Sequence, residues 1–370
     1  MAKDRKKYWL LLVLMLFTAY FFIASRPVPV ETILVPRWLN SLESGYPIYL
    51  NGTADSGADS TSTGDILPFE LGNRFGYVDT EGRFIINQIK KGSVALSAER
   101  WIEYPEMPDE LELRHPLDDS VVRIEAIRGY PLFLDSAMFL INDEQNSISK
   151  LDDAGAVRWT YDFAAPLTDI DAAAGLLLAG SLDGTVELLD DEGTRIFFFA
   201  PGGSRYSVIL GCRISEDGSR LAIVSGIDDQ RFLLLERFGD AGVSDYKVAY
   251  HEFLGDGFRR AVHLAFIDND RRIAFEREGG LGIYEIISRK SLKLSLEGTI
   301  NALDGSGDDG LLFIITSQSG IQKELVAVRM PGTIIIEAPF RSENSFLGRQ
   351  GPLLYIGGGT TIGSFKLDRR

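Results

Sequence analysis

Internal disulfides are out of reach for this chain. Its 370 residues include one cysteine, Cys212, so packing and hydrogen bonds must hold the fold. Cys212 lies in the apolar run VILGCRI and reads as a small buried hydrophobe. Histidine is almost as scarce: His115, His251 and His263 are the full set, and none stands at H-E-x-x-H or paired-ligand spacing. A G-x-S-x-G nucleophile elbow is missing, since Gly180-Ser181-Leu182-Asp183-Gly184 has the composition of a hairpin turn. There is no G-x-x-x-x-G-K-[ST] phosphate loop. Gly279-Gly280-Leu281-Gly282 and Gly357-Gly358-Gly359 lie between strand-like runs and lead into no helix, so they read as turns. Residues 304–310, DGSGDDG, fail as a calcium loop because Asp309 takes the glycine position and Ile315 the twelfth. The pairs Asp152-Asp153, Asp190-Asp191 and Asp228-Asp229 read as turn residues that accept from their own backbone. No catalytic, cofactor-binding or metal-binding residue is expected.

Basic charge is also in short supply. Lys and Arg number 38 against 53 Asp and Glu, for a net charge of −15. Such a surface repels phosphates, which excludes nucleic acid as an expected partner. Against the trend, Lys3, Arg5, Lys6 and Lys7 crowd the start with only Asp4 opposing them. Residues 8–25, YWLLLVLMLFTAYFFIAS, then carry no charge, over roughly the shortest length that spans a bilayer. They predict an uncleaved single transmembrane helix with its N-terminus inside, leaving the rest in the periplasm or outside the cell. Phe22 and Ile23 stand where a signal-peptide cut needs small residues. Residues 26–65 predict a Pro-rich stalk, a short surface helix near 37–50 and a polar low-complexity linker over 51–65.

What the chain does have is a repeat. Around Asp152-Asp153-Ala154-Gly155 and again around Asp191-Glu192-Gly193, an acidic-Gly turn leads into a strand of bulky residues. These are Val157, Trp159 and Tyr161 in the first copy, and residues 196–199 in the second. The glycines stand about 40 residues apart, the period of one propeller blade. Past residue 66 the pattern is of short strands between Gly, Asp and Asn turns, with no amphipathic helix of useful length. LDDAGAVRWTYDF resembles the quinoprotein-type (PQQ-like) propeller repeat through Asp152, Gly155 and Trp159, and GSLDGTVELLDDEG resembles the preceding hairpin of the next blade. RISEDGSRLAIVSG, residues 213–226, is similar instead to WD40 or TolB-like repeats.

The resemblance implies an all-β propeller over residues 66–370, of about seven four-stranded blades, closed by pairing N- and C-terminal strands. Its expected domains are a cytoplasmic stub at 1–7, the membrane helix at 8–25, the stalk and linker at 26–65, and the propeller. Residues 66–71 (ILPFEL) are the expected closing strand, and residues 104–115, rich in Pro and acid, an inserted loop. Quinoprotein enzymes carry a Trp motif in most blades. Here only Trp159 fits it, while Trp9, Trp38 and Trp101 lie elsewhere, so no cofactor is expected. Non-enzymatic members, such as the propeller lipoprotein of the outer-membrane assembly machine, act as scaffolds. The expected function is a non-catalytic protein-interaction platform of the cell envelope, whose partner is another envelope or membrane protein. An enzyme or small-ligand sensor using the central channel is the alternative.

Overall fold

The computed structural model describes residues 15, 32–44, 47–49, 66–118, 120–125, 129–239, 245–255 and 257–369. Residues Met1–Val35 with Leu367–Arg370 form a small unit, and Pro36–Lys366 the large one. The large unit is built from eight antiparallel sheets. Blade 1 is Ile66–Leu71, Arg74–Asp79 and Phe84–Ile89; blade 2 runs from Ser93–Leu96 to Val121–Glu125. Blades 3 and 4 span Tyr130–Leu134 to Val157–Asp162 and Leu167–Ala173 to Arg195–Phe199. Blades 5, 6 and 7 begin at Ile209–Ile214, Leu264–Ile267 and Thr299–Asp304, and end at Asp245–Gly255, Lys290–Ser295 and Thr333–Arg341. Blade 8 takes Ser345–Gln350, Leu353–Gly358 and Thr361–Arg369 from one end of the chain, then Thr32–Ser41 and Pro47–Tyr49 from the other.

Each blade buries both faces against its neighbours. That is why second strands such as Arg220–Ser225 (RLAIVS) and third strands such as Val186–Leu189 read as continuous apolar runs, not alternating ones. Phe75 and Tyr77 of blade 1 pack with Trp101 of blade 2, and Phe232 of blade 5 stacks on Phe275 of blade 6 at 4.2 Å. Between blades 7 and 8, Arg349 donates to Asp309 at 2.6 Å. Trp38, Tyr355 and Ile362 of blade 8 share a core with Phe69, Leu71 and Val78 of blade 1. The ring is closed.

Three turns show how the repeat docks. Asp79, Asp152 and Asp190 each accept two backbone N–H groups through Oδ1, from residues two and four further on, at 2.7–3.1 Å. The glycines that follow have φ of +84°, +81° and +79°, a conformation that costs glycine little. Trp159 of blade 3 covers Gly193 of blade 4 and donates its Nε1–H to the Asp191 carbonyl at 2.8 Å. Trp38 of blade 8 covers Gly82 of blade 1 and donates to the Thr80 carbonyl at 3.0 Å. Ile124 of blade 2 takes the same place on Gly155. Because the blade 1 turn matches the third-to-fourth-strand turns of blades 3 and 4, the three strands of blade 1 are its second, third and fourth. Among the described residues it has no innermost strand.

These observations correct the expected architecture. There are eight blades, not seven. The additional one is blade 2, where Pro105 and Pro108 bound the turn between Trp101–Tyr104 and Glu110–Arg114 instead of marking an insertion. The closing strand is Thr32–Ser41, in which Trp38, Asn40 and then Leu42 are buried at alternate positions. Ile66–Leu71 is instead the inner edge of blade 1, where Pro68 is tolerated because an edge needs no donor there. Among the described residues no helix is long and apolar enough to cross a membrane. The helix expected over 8–25 lies outside the described residues apart from Met15; the elements described from Thr32 onward are all strands.

One turn makes stability depend on pH. Burial opposes the charge of Asp217, but the Ser219 hydroxyl and N–H (2.6 and 2.9 Å) and the Ser215 hydroxyl (2.7 Å) bring its carboxyl down to about 2. A folded value below the unfolded one, roughly 3.9, adds stability that is complete above the unfolded value and lost as pH falls through the folded one. In urea titrations from pH 6 to 2, wild type should therefore exceed Asp217→Asn by a constant margin above pH 5. The margin should shrink steadily below pH 4 and be mostly, not fully, gone at pH 2.

Candidate functional site

Among the described residues no group of His, Cys, Asp and Glu could hold a metal ion. The three histidines fall in separate places. His115 Nδ1 accepts the Leu117 N–H at 3.2 Å, His251 lies against Phe253 at 5.9 Å, and His263 Nε2 meets the Ile300 carbonyl at 3.0 Å. Cys212 is fully buried, and that burial pushes its thiol up, away from thiolate chemistry. Its N–H donates to Asp169 at 2.8 Å, Arg213 donates to the same carboxylate at 2.6 Å, and the Ile214 N–H donates to Asp171 at 2.9 Å. Burial raises the Asp171 carboxyl. This cluster ties the inner strands of blades 4 and 5 together. In residues 304–310, Asp304 accepts from Ser306 while Asp309 holds Arg349. Those carboxylates already have partners.

What the structure does assemble is a face of arginine and aromatic side chains across blades 4 to 6. Arg205 lies over Tyr206 at 5.3 Å, Arg231 over Phe253 at 5.2 Å, and Arg260 over Phe258 at 4.5 Å. Tyr206 is 59% exposed and Phe253 56%, although side chains of this size usually bury. One turn of blade 5 holds most of the group. Asp228 accepts the Tyr206 N–H at 3.1 Å and pairs with Ser204; the Ser204 hydroxyl, first among several donors, keeps its carboxyl low. Gln230 is buried and donates to the Gly226 and Phe258 carbonyls at 3.1 and 3.2 Å. Arg231 donates to the Pro201 carbonyl at 3.3 Å. Arg260 is fixed by a two-pronged pair with Glu276, at 3.0 and 2.6 Å. Exposed aromatics with rigidly held guanidinium groups suit protein recognition, where Tyr, Trp and Arg anchors dominate.

Sequence reasoning treated Asp228-Asp229 as turn residues, and they do form a turn, with φ +48° at Asp229. It missed the face. A local signal existed: Arg205-Tyr206 and Phe258-Arg259-Arg260 set base beside aromatic in an acidic chain.

A sequence-family model described as beta-propeller protein matches residues 1–369. The chain belongs to that beta-propeller family. It is similar to an uncharacterized protein of Treponema pallidum (strain Nichols), 28% identical over 284 residues, which cover 76% of this chain and 74% of that one. Among solved structures, BamB from Moraxella catarrhalis shares its fold, with a TM-score of 0.57 and 14% identity over 90% of this propeller chain and 100% of that chain. A chain of the Mitotic Checkpoint Complex aligns with a TM-score of 0.51 and 14% identity, over 72% of this chain and 83% of that one. At such identities the likeness is one of fold.

Proposed function

We propose that this propeller is a non-catalytic protein-interaction platform of the cell envelope, displayed on the extracytoplasmic side, whose partner is another envelope protein. The observation that carries the reading is the arginine-aromatic face of Tyr206, Phe253 and their stacked guanidinium groups, exposed yet fixed by the 226–231 turn. A rigid ring presents such a face at small ordering cost. The fold shared with BamB and with a chain of a multiprotein assembly supports a role in assembly, and the basic first residues followed by an uncharged apolar stretch support export. The tryptophan-on-glycine docking of Trp38 and Trp159 supports a quinoprotein-type repeat used for structure.

The test is a Tyr206→Ala/Phe253→Ala double variant. Both side chains are mostly exposed, so unfolding free energy should shift by less than about 1 kcal/mol. Partner recovered by crosslinking from native membranes should fall at least tenfold, as for loss of two interface anchors. Unchanged recovery with an intact fold overturns the reading.

A further inference from the structure

Blade 5 reaches past its neighbours at one corner. Its third strand, Gln230–Phe238, has nine residues where that of blade 4 has four and that of blade 6 has six. Leu235 is the last of the nine to be buried, and Arg237 and Phe238 run out into solvent. Phe232 and Leu234 share a core with Ile273, Phe275 and Tyr284 of blade 6. Strand alternation puts Phe238 on that same side, and Lys247, across the hairpin, lies 3.8 Å from the centre of its ring. The matching hairpin of blade 6 turns through residues 286–289, with Ile287 in the turn and Arg289 and Lys290 just after it. Phe238 is 62% exposed and Ile287 84%, although such side chains are among those most often buried.

The cations at these two tips lack counter-charges. Lys247, Arg289 and Lys290 are exposed, and none forms an ion pair among the described residues. Most carboxylates nearby are engaged elsewhere. Glu236 holds Arg220 at 3.2 Å, and Glu285 accepts from Arg272 and Ser288 at 2.5 and 2.7 Å. Asp245, opposite Phe238 in the strand pair, is the exception. In a chain of net charge −15, this corner thus sets three unmatched positive charges and one negative around two protruding apolar side chains. That composition suits an anionic lipid surface, where basic side chains meet headgroups while apolar ones enter the interface. Acids elsewhere on the ring do not cancel the attraction, because charges beyond about 8 Å are largely screened at physiological salt. They do oppose every other orientation.

We propose that the tips of blades 5 and 6 dock on an anionic lipid surface. Phe238 and Ile287 enter the headgroup layer, and Lys247, Arg289 and Lys290 meet lipid phosphates. An acidic protein would satisfy the same charges, but apolar side chains standing on two convex tips favour a layer that they can enter. Gln230, which helps to fix the arginine-aromatic face, begins the strand that ends in Phe238. Eight steps of about 3.3 Å separate the two by about 26 Å, so the docked ring holds that face clear of the lipid. The inference does not rest on the face having a partner.

Cys212 is the one native thiol and is buried, so a cysteine introduced by Ile287→Cys can carry an environment-sensitive fluorophore alone. The labelled full chain is titrated with vesicles of phosphatidylcholine, pure or mixed with phosphatidylglycerol. A label at Tyr206→Cys reports the opposite end of the ring. Both readouts are local, which separates them from any binding through residues 8–25. With mixed vesicles only, the Ile287 label should shift to the blue and be quenched by lipid-borne nitroxide, while the Tyr206 label stays unchanged. Lys247→Gln/Lys290→Gln, at exposed positions that leave the fold intact, should raise the half-saturating lipid concentration at least tenfold, since each cation contributes roughly fivefold. Salt at about 1 M should abolish the shift. Equal shifts with pure phosphatidylcholine, no shift with the mixed vesicles, or an equal response of the Tyr206 label overturns the proposal. So does an equal response to soluble polyglutamate, which would assign the corner to an acidic protein.

Discussion

A chain that starts at Ile66 should lose roughly 5 kcal/mol or more of folding free energy, a large share of the 5–15 kcal/mol typical of a domain. The reasoning starts from blade 8. Its fourth strand is Thr32–Ser41, and the side chains that strand brings inward are among the best buried in the molecule. Trp38 is 1% exposed and Leu42 2%. Trp38 also meets Tyr355 edge-on at 6.0 Å and covers Gly82 across the closure. Removing a buried Trp alone costs about 3–5 kcal/mol, and burial of a Leu is worth roughly 2 more. Asn40 adds a hydrogen bond to the Gly82 carbonyl at 2.6 Å, and Asn87 reaches the Leu42 carbonyl at 2.8 Å. Guanidinium unfolding followed by near-ultraviolet circular dichroism gives the comparison, and Trp38→Ala alone should account for more than half of the loss. A truncated chain with an unchanged midpoint would show that the ring does not depend on this strand.

The second large effect is expected at Gly193. A valine there would have to adopt φ near +79°, which costs a residue with a β-carbon about 1–3 kcal/mol. Its Cβ would also lie 2.6 Å from the Trp159 ring, and forced overpacking adds about 1–3 kcal/mol more. Gly193→Val should therefore destabilise by about 4 kcal/mol. Gly351 provides the control, since its φ is +54° but nothing lies within 4 Å of the added carbon. Gly351→Val should show the backbone cost alone, about half as much, by the same denaturation measurement. Equal losses at the two positions would mean that the tryptophan yields freely and does not fix the blade spacing.

The parts of this fold legible in the sequence are those whose chemistry is local. An Asp that accepts from residues two and four ahead, followed by a glycine at positive φ, is a short-range device, so the turns at 152–155 and 190–193 could be read directly. Blade 2 was hidden because its second and third strands are joined by a proline-bearing turn and its last turn lacks the glycine signal. The closing strand was hidden because it pairs across the whole length of the chain, and the prolines of 26–36 suggested a stalk. The arginine-aromatic face joins Arg231 to Phe253 and Gln230 to Phe258, pairs that meet only once blade 5 has folded.

Sharing blade 8 between the two ends of the chain has a consequence for biogenesis. A ribosome makes Thr32–Ser41 well before its neighbour Thr361–Arg369, so the edge that will meet that neighbour waits unpaired while seven blades emerge. Trp38 and Leu42 remain uncovered for that whole interval, as a sticky segment that a holding chaperone could shield. Completion of the circle therefore waits for Thr361–Arg369 to be made, whatever the speed at which each blade folds.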